Sequence, residues 1–212
     1  IYGGLVGELT GAAVADSYAA GNVSASFNQS GGGGLVGSAA DSAISGSYAS
    51  GGVTGGGLNG GLIGIASNTV LSNSYATGQV SAANGTYVGG LIGKISAGEV
   101  TDSYSAGGVS GYSQVGGLVG SAEDGAAINR AYATGAIDGS GNVGGLVGDL
   151  LNSTVSLSFA SGNVNGNYGS NIGGLIGFLS GSSVTDSYAS GSVKGSSQFG
   201  GLAGSVDYAS RI

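Results

Sequence analysis

The sequence contains no Pro, Cys, Met, Trp or His, and its charge is confined to four Lys/Arg and eleven Asp/Glu. Each absence removes a class of function. Without Cys there is no disulfide framework and no thiolate metal centre, and without His there is no imidazole base or haem ligand. The four basic residues, at 94, 130, 194 and 211, leave no footprint for nucleic acid on a chain of net charge −7. No apolar run approaches the roughly 18 residues of a membrane helix, so no membrane insertion is expected. Collagen is excluded by the missing Pro and the missing Gly-X-Y period. A mean hydropathy of +0.29 with so few charges argues against disorder. The chain opens without Met or a basic, apolar leader, and reads as a piece of something longer.

What remains is glycine, 50 of 212 residues, and it is placed in register. The tetrad Gly-Leu-(Val/Ile/Ala)-Gly starts at Gly4, Gly34, Gly61, Gly90, Gly117, Gly145, Gly174 and Gly201, at spacings of 27 to 30 residues. An aromatic follows fourteen or fifteen residues later at Tyr18, Tyr48, Tyr75, Tyr104, Tyr132, Phe159 and Tyr188. Four residues before each aromatic stands an aliphatic, three after it a Gly, and five after it Val or Ile. Length varies almost wholly between that last Val/Ile and the next tetrad. No segment shows helical periodicity, and a fixed period of this size is the mark of a stacked repeat.

The pattern predicts an all-β chain forming one parallel β-solenoid (a β-helix, with the usual right-handed crossover). Each coil has about 28 residues and three short strands, and like residues form ladders about 4.8 Å apart. Seven full repeats start near 4, 34, 61, 90, 117, 145 and 174, with a partial eighth over 201–212. Val206-Asp207-Tyr208-Ala209 follows Gly201 too early to repeat the aromatic landmark. The rod would be about 35 Å long at that strand spacing. Glycine is expected at tight corners with positive φ, and the lack of Pro leaves every strand its N–H.

The tetrad Leu is the safest inward residue, and Ala one after the aromatic marks a narrow place in the cross-section, with Ser105 the exception. Alternation then points Tyr18, Tyr48, Tyr75, Tyr104, Tyr132, Phe159 and Tyr188 outward, as a candidate interface or ligand ladder; a core stack is the alternative. A second apolar ladder follows the tetrad Leu: Val6, Val36, Ile63, Ile92, Val119, Val147 and Ile176. Adjacent strand residues face opposite ways, so either the chain bends there and both columns are inside, or this ladder is an exposed face for lateral association.

Catalytic signals are weak. Gly32, Gly34 and Gly37 satisfy G-x-G-x-x-G, but no helix follows to receive a phosphate. Asp16, Asp102 and Asp186 share one repeat position, in coils about 14 Å apart, too far for paired-carboxylate chemistry. Arg130 occupies that position in the coil after Asp102, which predicts a cross-coil ion pair. No catalytic residue, metal site or cofactor is expected. An outward Tyr ladder could stack on sugar rings. A hydroxyl column two after the aromatic (Ala20, Ser50, Thr77, Ala106, Thr134, Ser161, Ser190) is too irregular to match ice well.

The unit Gly-Gly-Leu-(Val/Ile)-Gly followed by aliphatic-x-x-Ser-Tyr-Ala-x-Gly-x-Val resembles the GLUG repeat of large bacterial surface and secreted proteins. GLIGIASNTVLSNSYATGQV (61–80) and GLIGFLSGSSVTDSYASGSV (174–193) show it most fully. Proteins with this repeat include adhesin-like molecules and some bacterial IgA-cleaving metallopeptidases, whose repeats lie outside the catalytic part. The resemblance implies an extracellular, cell-surface bacterial setting and a structural or adhesive role, and it carries no catalytic residue. The expected function is a non-enzymatic segment of a fibre, filament or adhesin. Its partners are expected to be further coils of itself or the rest of a larger surface protein. A glycan-binding β-helix is the alternative, and an ice-binding one a lesser alternative.

Overall fold

Two successive amides bend the chain at each tetrad. In the computed structural model, which describes residues 1–24, 31–167 and 169–212, the N–H groups of Leu35 and Val36 both donate to the Leu62 carbonyl of the next coil, at 2.9 and 3.0 Å. The same pair recurs at Leu62 and Ile63, Leu91 and Ile92, Leu118 and Val119, Leu146 and Val147, and Leu175 and Ile176. Neighbouring amides of a straight strand point opposite ways. Here they converge, so the chain turns a corner and both side chains enter the core. Val36, Ile63, Ile92, Val119, Val147 and Ile176 are all buried, and Val6 in the first coil is partly so. The second apolar ladder is therefore core, and the exposed face for lateral association is corrected.

The described residues form only strands, turns and bends, wound as about seven parallel coils. The coil is more finely divided than three strands. The second one comprises Gly32–Gly33, Val36–Ala40, Ala43–Ser45, Tyr48–Ala49 and Val53–Thr54. In the third and fourth coils the middle segments merge into Ile63–Ser72 and Ile92–Thr101. The strands stack in four parallel sheets of eight, thirteen, seven and seven. Register keeps like on like: Leu71 pairs with Val100, Tyr75 with Tyr104, and Val80 with Val109. The count of three failed because pairs such as Tyr48–Ala49 are too short to show a period of their own.

Two cores lie side by side. The larger holds the tetrad Leu, the residue after it, and columns such as Ala39, Ile44 and Ala49. The smaller holds Val53, Val80, Val109, Ile137 and Val164 together with Val88, Val115, Val143 and Ile172. A glycine web separates them. A Cβ on Gly33, Gly60, Gly89, Gly116, Gly144 or Gly173 would lie 1.8–1.9 Å from a backbone carbonyl oxygen three residues on. On Gly34 it would meet the Gly61 oxygen at 2.1 Å and the Ala49 Cβ at 2.8 Å. Ala49 thus faces Gly34 across the narrow waist expected for the Ala column.

These glycines are not at positive φ, which corrects the reason anticipated for them. The left-handed corners fall elsewhere. Two residues before the aromatic, Asp16, Gly46, Asn73, Asp102, Arg130, Leu157 and Asp186 all have φ between 47° and 55°. Asn, Asp and Gly tolerate that conformation, whereas other L-residues lose about 1–2 kcal/mol in it. Leu157 is exposed and has no polar group to offset the strain. Leu157→Asn is accordingly expected to raise unfolding stability by about 1 kcal/mol, read from denaturant midpoints; an unchanged midpoint would refute the strain.

The Ser before the aromatic closes the adjacent corner. Ser47 Oγ donates to the Ser45 carbonyl (2.8 Å) and accepts the Ser17 N–H (3.1 Å), while the Ser47 N–H donates to Ser74 Oγ (3.1 Å). Ser74 hands the same bond to Ser103. Ala131 interrupts the series, which resumes from the Ala131 N–H to Ser158 Oγ. The final segment keeps phase: Ala203–Val206 pairs with the previous coil, and Arg211 bridges to Ser183 in parallel. Val206 to Ser210 holds one residue more than the usual corner, as Ala122 to Ala126 does, and Tyr208 stands in that enlarged turn and not at the aromatic position.

Candidate functional site: the aromatic ladder

The aromatics stand outward, alternating with the buried Ala19, Ala49, Ala76, Ser105, Ala133 and Ala160. Tyr18, Tyr48, Tyr75, Tyr104, Tyr132, Phe159 and Tyr188 form one stack, with successive ring centroids 4.8–5.2 Å apart and planes within 8° of parallel. The parallel register fixes this spacing, because one ring per coil must repeat at the strand separation. Burial beside its neighbours, with a smaller contribution from Tyr132, holds the Tyr104 phenol above its ordinary pKa, so it stays neutral at physiological pH.

Each inner ring has both faces covered by its neighbours. Stacking on a sugar needs an open face, and only the outer faces of Tyr18 and Tyr188 are free of ladder partners; these are the most exposed rings of the stack. The column Ala20, Ser50, Thr77, Ala106, Thr134, Ser161 and Ser190 is exposed beside the rings. It is a floor of small side chains.

The shared carboxylate position is a left-handed corner, which explains its Asp and Asn residues without chemistry. Asp102 accepts from Arg130 in two bonds, Nε to Oδ1 at 2.7 Å and Nη2 to Oδ2 at 2.8 Å, so the cross-coil pair is present. The guanidinium holds the Asp102 carboxyl below its usual pKa. A second pair joins Lys94 to Glu123, with the ammonium 5.3 Å from the Tyr87 ring centroid. Gly32, Gly34 and Gly37 lie in strands and a bend, with no helix after them. An open hollow of about 180 Å³ is lined by Asn22, Ser24, Gly52, Thr54, Gln79 and Ser81, all neutral. Among the described residues no three acidic groups gather as a metal site.

Sequence reasoning missed Asp149. It pairs in register with Ser121 and Phe178 on what alternation makes an outer column, yet it is buried. Asn142 Nδ2 donates to its Oδ1 at 2.6 Å, and Asn171 Nδ2 donates in turn to Asn142 Oδ1 at 2.8 Å. Burial pushes the Asp149 carboxyl up to about 6, against the opposing hydrogen bonds from Asn142 and Gln114. A signal was present: Gln114, Asn142, Asn171 and Gln198 stand at one repeat position, just before the apolar-Gly-Gly step.

Ser105 replaces Ala at the waist, and its buried Oγ has no partner. Ser105→Ala is expected to stabilise by about 1 kcal/mol, measured by chemical unfolding; a loss of stability would show that the hydroxyl is satisfied.

The stacked coils and repeated ladders define a repeat protein of the parallel β-solenoid class. Two stretches, residues 111–138 and 168–194, match the family model described as the GLUG motif, consistent with a GLUG-repeat segment. Comparison with curated proteins gives no match.

Proposed function

We propose that this solenoid is a non-enzymatic, structural or adhesive segment of an extracellular bacterial fibre, filament or adhesin, joined end to end to further coils. Those coils belong to the same polypeptide or to another subunit. The observation that carries this reading is the unbroken stacking of the inner coils: Leu35, Leu62, Leu91, Leu118, Leu146 and Leu175 are each 0% exposed, covered by the coils on either side, as in a rod built from repeats that contact only their neighbours. The inward turn of the second apolar ladder removes that column as a lateral contact, which supports association through stacked coils.

Electron microscopy and sedimentation of the purified chain test the reading. Elongated particles that lengthen with concentration are expected, and a monodisperse monomer at high concentration would remove the self-assembly part. Antibody labelling of intact cells tests the surface location: signal only after lysis would refute it.

A further inference from the structure

We propose that the flank of the aromatic ladder is a binding channel for elongated, planar, cationic aromatic molecules. The wall is the comb of ring edges from Tyr18 to Tyr188, six steps of 4.8–5.2 Å and about 30 Å in all. The floor is the exposed column Ala20, Ser50, Thr77, Ala106, Thr134, Ser161 and Ser190, which carries no charge and no side chain larger than Thr. A flat ligand lying along the rod turns one face to the ring edges and meets several rings edge to face. Aromatic pairs favour that arrangement. The opposite flank is obstructed, because Arg130 and the exposed Leu157 occupy its corner column.

Cation preference follows from the charge. The chain carries −7, and Asp16, Asp102 and Asp186 add negative charge across the ring comb, in the corner column of the opposite flank, where Asp102 is paired to Arg130. The channel rests on the described geometry alone and does not depend on the proposed assembly.

The probe is thioflavin T, titrated against the full chain shown by sedimentation to be free of aggregates, with fluorescence and anisotropy as readouts. Saturable binding is expected. Ala106→Arg, at an exposed position just after the strand Tyr104–Ser105 and in the middle of the floor, is expected to weaken it at least tenfold with thermal unfolding unchanged. Leu157→Arg, on the other flank, is expected to leave it within twofold. A planar anionic dye of similar length is expected to bind at least tenfold more weakly than thioflavin T. Absence of saturable binding to the unmodified chain, or equal binding by Ala106→Arg, would overturn the channel. Binding that survives Ala106→Arg but is lost in Tyr18→Ser/Tyr188→Ser would place the dye on the outer faces of the end rings, and would overturn it too.

Discussion

Gly117→Ala is expected to abolish cooperative folding, or to destabilise the chain well beyond the roughly 1–3 kcal/mol of ordinary core overpacking. The added methyl would sit 2.1 Å from the Gly145 carbonyl oxygen and 2.9 Å from the Ala133 Cβ. Neither can retreat. The Gly117 N–H is bonded to the Gly144 carbonyl, Ala133 pairs with Ser105 and Ala160 on either side, and close-packed interiors transmit such a shift instead of absorbing it. The same substitution where nothing lies within 4 Å, at Gly7 or at Gly201, is expected to change stability by no more than about 0.5 kcal/mol. Thermal and urea unfolding of the three variants side by side provide the comparison. A Gly117→Ala protein melting within a few degrees of the unmodified chain would show that these glycines serve something other than close backbone approach.

Asp149→Asn is expected to stabilise the protein at neutral pH, and the gain should vanish in acid. With the folded carboxyl pushed up to about 6 and the ordinary value 3.8, the folded state holds the proton across the interval in which the unfolded chain has lost it. Stability therefore falls as pH rises from about 4 to about 6 and is level above that. A shift of roughly two pKa units corresponds to on the order of 2–3 kcal/mol. Asn keeps the oxygen that accepts from Asn142, and the Gln114 amide can rotate to accept from the new NH₂. The variant should match the unmodified chain near pH 4 and exceed it by about 2 kcal/mol near pH 7.5. Asp102 and Asp207, whose carboxyls sit below their ordinary pKa, contribute stability that is lost only at lower pH, and they are common to both proteins. A difference between the two proteins that stays constant from pH 4 to 7.5 would refute the buried titration.

Much of this architecture could be read from spacing because each coil repeats the same side-chain demands. Leu35, Ile44, Ala49 and Val53 recur at fixed intervals because each must land in the same place in the cross-section, and their counterparts do so along the rod. The Asp102–Arg130 pair followed from placing two residues in one column. What could not be read depends on backbone direction. Alternation left open whether Val36 and Ile63 turn in with Leu35 and Leu62 at a bend or face outward, and two amides converging on one carbonyl turn both inward. Gly116 looks like a corner residue in any one-dimensional reading, since its constraint is the Val119 oxygen brought back against it. The burial of Asp149 is not legible in its own column, because the amides that cover it come from a different segment of the coil and from the coil before. Alternation offered an outward Tyr ladder beside a core stack without deciding between them, and it did not show the consequence: a ring at every coil closes the faces that a sugar would use.

The glycine web also has a mechanical meaning. With two cores abreast, the cross-section is broader in one direction than in the other, like a plank rather than a dowel. A beam of that section resists bending in its broad plane more than in its thin one. Under sideways load such a rod flexes preferentially in the thin direction, so anything carried at its end would sweep through an arc and not a cone.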